Sequence, residues 1–361
     1  MDTPWGPLAQ LDPNDNDLAA RIITADKDTL VEGLIVEDLF DQILSALADR
    51  DVSILDLETA IAAHNGQRYA FVWSRDWRQQ GLRRYLDTLE HVTIQTYVVK
   101  LQDGDFIAAP YAGGKAQWSR QMPLTRIAGA LTGQENPKVN RVSRSVRDEF
   151  RQLTAFWGNH SQTKRTPQGR WQRIILPRLF FNHGLGPYFR QLWNLDRICA
   201  TESGLWLLEV KHKYPFGRHG LKFGVNRGEL ENVRLLASAP APVRCLHALL
   251  VKPVWRRGVS PTYLLNDLRL RERVALIAMD LSSPVNKILA RSPRKGPQHT
   301  SLSGGGAVYY NTVPASGFHY LGELTDPMDS LAMGLSGILS GQPGRHVCDD
   351  DLTALRVTDF R

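Results

Sequence analysis

The sequence predicts an α/β protein in which a mixed central sheet is flanked by helices and preceded by an N-terminal α+β module. Two observations lead to this prediction. Apolar strand-like runs alternate with helical patterns over 192–281, which is typical of a sheet covered on both faces. The segment 1–112 instead combines helical periodicity with a hairpin pattern, and 361 residues are more than one small core requires.

The N-terminal module, residues 1–112, is predicted from the spacing of its apolar residues. Helical spacing predicts helices at 38–47, 56–61 and 78–89. Alternation of β-branched and aromatic residues predicts strands at 69–73, 92–99 and 106–109. Asp103-Gly104 is a typical tight-turn pair between the last two strands. No chemical motif stands out in this module, whose role the sequence leaves open.

Composition divides the rest of the chain into three parts. Residues 113–140 are rich in Gly, Pro, Lys and Gln and are predicted to form a linker or surface loops. Residues 141–282 are predicted to form the second domain, and 283–361 a partly irregular C-terminal extension. The elements predicted in the second domain are helices at 141–157, 226–238 and 261–271 and strands at 192–199, 205–211, 243–251 and 274–281.

Charge and cysteine content restrict the possible functions and locations. The formal net charge is +7, and this basic balance is by itself weak evidence for a nucleic-acid partner. No run approaches the roughly 20 apolar residues that a membrane span needs, so no membrane association is expected. The first residues lack the pattern of a signal peptide, and three widely spaced cysteines form neither a disulfide framework nor a zinc motif. A cytoplasmic location is therefore expected.

Three charged residues in the middle of the chain suggest a chemistry. Glu209 and Lys211 follow an apolar strand-like run, and alternate residues of a strand point to the same face about 7 Å apart. Asp196 lies on the preceding strand, across a turn. Burying such charges costs several kcal/mol unless they are paired or bound to a metal, which favours a functional reason. Carboxylates, together with the carbonyl of Val210, are ligands that Mg²⁺ prefers.

Asp196 and the run Leu207-Leu208-Glu209-Val210-Lys211 resemble the signature of the PD-(D/E)XK, or restriction-endonuclease-like, nuclease superfamily. The order of elements predicted over about 140 residues is similar to that family's core, although no proline precedes Asp196. The resemblance implies that Asp196 and Glu209 bind Mg²⁺ or Mn²⁺ and that Lys211 orients the water or stabilises the phosphate. It implies an endonuclease that hydrolyses phosphodiester bonds, with DNA as the expected substrate and RNA as the alternative, and that works as a homodimer. The architecture also suggests that the N-terminal module senses a ligand or protein partner, as in phage defence or a mobile element.

Further acidic residues are candidates for the same site. The family often adds an acid from a helix before the first strand, and Glu149 is the candidate here, with Asp148 as its rival. A solvated helix charge is the alternative interpretation of Glu149. Asn226 and Glu229 begin the helix after Lys211 and are placed to face the site, but an N-cap with an acid three residues later explains them equally well.

Basic residues crowd the chain after Lys211. Those predicted to grip a nucleic-acid backbone are Lys213, Arg218, Lys222 and Arg227. The alternative is a solvated basic loop. Two alternatives for the protein as a whole also stay open, namely a strand-edge salt bridge in place of a metal site, and a non-catalytic nucleic-acid-binding or assembly module that retains the fold.

Overall fold

A computed structural model of the chain describes residues 1–24, 30–47, 52–135, 137, 153–154, 166–217, 220–256, 259, 261–296 and 308–359. Within these ranges the protein is a mixed α/β fold built on two large mixed sheets, which confirms the predicted class. The helix predicted at 141–157 lies outside the described residues, apart from 153–154.

The strands in the described part of the chain are β1 (Asp2–Thr3), β2 (Gly6–Pro7), β3 (Ser53–Ile54), β4 (Leu57–His64), β5 (Gln67–Ser74), β6 (Gln95–Gln102), β7 (Asp105–Ala112), β8 (Lys115–Ala116), β9 (Met122–Pro123), β10 (Gln191–Leu195), β11 (Arg197–Thr201), β12 (Gly204–Lys213), β13 (Lys222–Asn226), β14 (Val243–Val251), β15 (Ala275–Asp280), β16 (Arg294–Lys295), β17 (Tyr309–Pro314) and β18 (His319–Glu323). The helices are α1 (Asn16–Thr24), α2 (Leu30–Ser45), α3 (Leu82–Val92), α4 (Leu124–Thr132), α5 (167–185, with π-helical turns at Trp171–Ile175 and Phe180–Leu185), α6 (Arg227–Ala237), α7 (Tyr263–Asn266), α8 (Leu268–Arg271), α9 (Val285–Leu289), α10 (Met328–Leu339) and α11 (Asp349–Leu355).

The first sheet has the strand order β10-β4-β5-β6-β7-β8, with β9 also paired to β7. The predicted hairpin is present, since Asp103 (φ 52°) and Gly104 (φ 73°) form the turn between β6 and β7. The helix predicted at 56–61 is wrong, because this segment belongs to β4. β4 lies between two other strands and is buried along most of its length, and such a tertiary setting outweighs local helical spacing.

The second sheet has the strand order β18-β15-β14-β12-β11-β3 and contains the elements that matter for the site. β11 and β12 form an antiparallel pair, and β12 and β14 a parallel pair connected through α6. β14 is buried over nearly its whole length, and β12 is buried from Gly204 to Val210. That burial explains their almost continuous apolar sequence, because a strand covered on both faces needs no polar alternation.

The two sheets exchange strands across the predicted domain boundaries. β3 comes from the N-terminal segment but pairs with β11 in the second sheet, and β10 pairs with β4 in the first. The segment 192–199, predicted as one strand, is therefore divided between two sheets. The predicted linker contains β8, β9 and α4, and the predicted extension supplies β18 to the edge of the second sheet.

Two apolar clusters cover opposite faces, and each includes residues of both sheets. α2, α5 and α10 cover one face, where Trp206 and Leu208 of β12 point. α3 and α6 cover the other face, toward which Leu205 and Leu207 point. Burying each large apolar side chain contributes about 1.5–3 kcal/mol, so the shared clusters tie the two sheets together.

The described part of the chain contains no helix with the length and apolar character that a membrane crossing demands.

Candidate active site

Asp196 occupies the single position between β10 and β11, where the chain passes from the first sheet to the second. Arg197 pairs with Leu208 across the antiparallel ladder. Because the strands run in opposite directions, Asp196, which precedes Arg197, lies beside Glu209, which follows Leu208. The Oδ2 atom of Asp196 accepts a hydrogen bond from the backbone N–H of Val210, at 3.2 Å. The carboxylate thereby accepts a backbone N–H of β12 as a strand carbonyl would, and this bond fixes it next to the first residue of β11.

The ammonium of Lys211 joins the two acidic side chains. Its Nζ lies 3.2 Å from Oδ2 of Asp196 and forms an ion pair with Oε1 of Glu209. Both carboxylate side chains are only 9% exposed, whereas Lys211 is 27% exposed. The three predicted residues therefore meet at one point, with the carboxylates nearly sealed from water and the lysine reaching it.

The site holds more negative charge than the lysine compensates. Burial raises the pKa of Glu209 well above its ordinary value, and the neighbouring charges of Asp196 and Glu229 add to this effect despite Lys211. Burial by itself would lower the pKa of Lys211, but the surrounding carboxylates outweigh it and hold that pKa well above the usual value. Lys211 is accordingly protonated at neutral pH.

Of the two residues at the start of α6, one caps the helix and the other belongs to the site. The side chain of Asn226 accepts a hydrogen bond from the backbone N–H of Gly228 at 2.8 Å, as an N-cap does. Glu229, in the first turn, acts electrostatically on Glu209 and Lys211. Glu229 thus fits both interpretations that the sequence left open, as an acid in the first helical turn and as a neighbour of Glu209.

The donor set fits a hard divalent cation in chemical type. Asp196, Glu209 and Glu229 supply carboxylate oxygens, which Mg²⁺ and Mn²⁺ prefer. Among the described residues, however, no three His, Cys, Asp or Glu side chains already surround a common point as a preformed metal centre would. Glu149, the predicted additional ligand, lies outside the described residues. Val210 contributes its N–H to Asp196, and a role for its carbonyl stays a prediction.

Sequence reasoning missed an acidic residue on α2. The charge of Asp196 acts on Glu37, and Nη2 of Arg197 lies 3.7 Å from Oε2 of Glu37. Burial raises the pKa of Glu37, and Asp196 and Asp41 contribute further. No local signal would have identified this residue, because its approach to Asp196 depends on how α2 packs against the second sheet.

The basic residues predicted to hold nucleic acid are partly engaged within the fold. Nζ of Lys213 donates to the carbonyl of Gly224 at 2.6 Å. Nε of Arg227 lies 3.3 Å from Glu231 on the same helix. Lys222 begins β13 and is half-buried, and Arg218 lies outside the described residues. Their binding to a phosphate backbone stays a prediction.

A second polar network lies on the opposite face of β12, one residue after Lys211. The ring of His212 contacts Oε1 of Glu32 through Nδ1 at 2.7 Å and the hydroxyl of Tyr263 through Nε2 at 2.6 Å. Since the carboxylate of Glu32 only accepts, Nδ1 carries the proton and Nε2 accepts from Tyr263. Burial lowers the pKa of His212 to about 4. Burial opposes ionisation of Glu32, but the bond from His212 and the charge of Lys252 bring its pKa to about 2.

This network predicts that the protein loses stability in acid. His212 has a folded pKa depressed from 6.5 to about 4, so its contribution is complete above pH 6.5 and is lost as the pH falls toward 4. Glu32 adds a loss in the same direction between pH 4.5 and about 2. With these two pKa values, His212 accounts for about 2.4 kcal/mol between pH 7 and 4.5. Urea unfolding at the two pH values measures this, with His212→Gln as a variant that donates without titrating. Equal pH dependence in the parent and His212→Gln would refute the assignment.

The site is thus a cluster of Asp196, Glu209 and Lys211, with Glu229 and Glu37 as additional acidic neighbours. Comparison of the chain with protein-family models, with curated proteins and with solved structures found no match. The geometry and electrostatics of the cluster are therefore the basis for assigning a function.

Proposed function

We propose that this protein is a divalent-metal-dependent endonuclease of the PD-(D/E)XK kind that hydrolyses phosphodiester bonds in DNA. One observation carries the proposal: the carboxylates of Asp196, just before β11, and Glu209, on the adjacent β12, both contact the ammonium of Lys211. Two hard carboxylates and a lysine at one partly open point are the groups that metal-assisted phosphodiester hydrolysis uses.

The arrangement of elements around the cluster supports the same proposal. β11 and β12 are antiparallel, α6 follows, and β14 returns parallel to β12. This order is the one that the resemblance implies for a restriction-endonuclease-like core. Asp196 immediately precedes β11, and Glu209 and Lys211 lie toward the end of β12, so the chemistry falls at one end of this strand pair. In this proposal α2 provides the helix that packs on the sheet opposite α6.

Each residue has a distinct part in the proposed reaction. Asp196 and Glu209 would hold Mg²⁺ or Mn²⁺, with Glu229 as a nearby third carboxylate. The bound ion would neutralise charge on the phosphate and lower the pKa of a water molecule. Lys211 remains protonated, so it stabilises negative charge and does not act as a base. The N–H of Val210 holds the carboxylate of Asp196 in place.

The charge balance favours a metal site over a structural salt bridge. A carboxylate whose only task is to pair with a lysine usually has a lowered pKa. The pKa of Glu209 is instead raised well above its ordinary value, because burial and two further carboxylates exceed the effect of Lys211. A divalent cation would supply the missing positive charge. Homodimer formation, which would let two sites address two strands, is part of the proposal, as is a ligand or partner for the N-terminal segment.

A cleavage assay tests the proposal. Purified protein is incubated with supercoiled plasmid, single-stranded DNA and RNA in Mg²⁺, Mn²⁺ or EDTA. We expect nicked or linear plasmid with either metal and intact plasmid with EDTA. Cutting that persists in EDTA would contradict the metal-dependent mechanism. Binding to DNA without cutting in any metal would support the non-catalytic alternative.

A further inference from the structure

A small cavity adjoins the side chain of Glu209. It has a volume of about 20 Å³ and is enclosed by β10, β12, β14 and α6. Its lining residues include Glu209, Glu229, Asn232, Cys245 and His247. A cavity of this size holds about one water molecule, provided that polar groups surround it.

Several polar groups that line this cavity lack a hydrogen-bond partner in the described part of the chain. His247 is 0% exposed and Asn232 is 2% exposed. Both ring nitrogens of His247, both amide atoms of Asn232 and Oε2 of Glu229 lack a hydrogen-bond partner among the described residues. A buried polar atom without a partner costs about 1–3 kcal/mol, so five such atoms around one cavity indicate a polar site with an occupant.

Register connects the cavity to the proposed metal ligand. His247 of β14 pairs with Glu209 of β12 across the parallel ladder, so their side chains project side by side on the face that α6 covers. Asn232 and Glu229 approach from α6, one turn apart. A water molecule in the cavity has donors and acceptors from His247 and Asn232 and lies beside the carboxylate of Glu209.

We propose that His247 and Asn232 are positioning residues that hold the carboxylate of Glu209, through one enclosed water molecule, in the orientation that binds the metal ion. The inference rests on the proposed function, because it concerns how that metal site is held. Groups behind a metal ligand fix its orientation, and their loss typically lowers metal affinity by about 10–100-fold. With an apolar side chain at either position, the water molecule would no longer orient Glu209. Its carboxylate would then remain paired with Lys211 and bind the metal ion less well.

Direct Mn²⁺ binding, measured by calorimetry on the full chain, tests the inference separately from cleavage. We expect His247→Leu to raise the Kd for Mn²⁺ by about 10–100-fold, and His247→Gln, which keeps a donor and an acceptor, to retain most of the affinity. Asn232→Leu is a second test if His247→Leu does not fold. Ile277→Ala is the matched control, because Ile277 is fully buried on the same face but does not line the cavity. It should lose thermal stability without a change in Kd.

The possible outcomes distinguish the positioning role of His247 and Asn232 from the proposed nuclease function. A folded His247→Leu or Asn232→Leu variant that binds Mn²⁺ as tightly as the parent would overturn the positioning role. Two ions per parent chain and one in His247→Leu would also overturn it, since the cavity would then hold a metal ion and not water. A parent that binds no Mn²⁺ would overturn the proposed function itself, and this inference with it.

Discussion

Glu209→Gln is expected to reduce metal-dependent cleavage by about 1,000-fold. A metal ligand at a reacting phosphate contributes several kcal/mol of charge stabilisation, and each 1.36 kcal/mol corresponds to a tenfold change in rate. The variant preserves the size of the side chain and removes a buried carboxyl group whose pKa is raised by burial. Its thermal stability in EDTA should therefore equal or exceed that of the parent. Initial rates on supercoiled plasmid in saturating Mg²⁺ measure the effect.

The matched control for Glu209→Gln is Glu202→Gln. Glu202 is an exposed residue in the turn between β11 and β12, so this variant makes the same change in net charge away from the site. It should cut at the parent rate. Asp196→Asn should repeat the loss seen for Glu209→Gln, because the two carboxylates act on the same ion in the proposed mechanism. A Glu209→Gln variant that is folded and cuts as fast as the parent would end the nuclease proposal.

Lys211→Met is expected to destabilise the metal-free protein by about 3–5 kcal/mol. Methionine replaces the aliphatic stem of the lysine but removes the charge between Asp196 and Glu209, which leaves two nearly buried carboxylates without their cation. A divalent ion bound by the same carboxylates would restore the balance. Its stabilisation follows mass action and reaches about 2.7 kcal/mol at a concentration 100 times its Kd. Mn²⁺ should therefore stabilise Lys211→Met, and more strongly than it stabilises the parent.

Urea unfolding of both proteins in EDTA and in excess Mn²⁺ measures these differences. Lys252→Met is the control, since its ammonium pairs with Glu32 in the network on the opposite face of β12 and not with the paired carboxylates. Its stability change should be independent of the metal. Equal stability of Lys211→Met and the parent in EDTA would show that the buried ion cluster does not depend on the lysine. Equal stabilisation of both by Mn²⁺ would show that the ion does not replace the ammonium.

The position of Asp196 explains how this fold brings the two acids together. A residue inside either ladder would have its neighbours determined by strand pairing, and its side chain would alternate with the pleat. Asp196 lies between β10 and β11 and is released from both constraints. Its carboxylate can therefore turn toward the backbone of Val210 and the ammonium of Lys211. The passage of the chain from the first sheet to the second thus places Asp196 just before β11, where the site is built.

Some features follow from the sequence because their physical causes are local. Alternation along an apolar strand was sufficient to place Glu209 and Lys211 on one face, and the ion pair between them agrees with that prediction. The helix after Lys211 was predicted from its periodicity and its N-cap residue, Asn226, and the structure contains it as α6. The Asp-Gly pair gave the turn between β6 and β7 for the same reason, since a tight turn needs residues that tolerate positive φ.

Other features were decided by packing between distant segments, and no local pattern encodes these contacts. The segment 56–61 has helical spacing, but its place inside the first sheet makes it part of β4. Glu37 comes under the electrostatic influence of Asp196 because α2 packs on the second sheet, and His247 meets Glu229 and Asn232 because α6 covers that strand. A histidine within the apolar run of β14 was the one available signal for this cavity. By itself the sequence determined which residues of one strand or helix share a face, because backbone periodicity fixes that. The tertiary structure decided which faces and strand ends meet, because burial of apolar surface between remote segments selects the pairing.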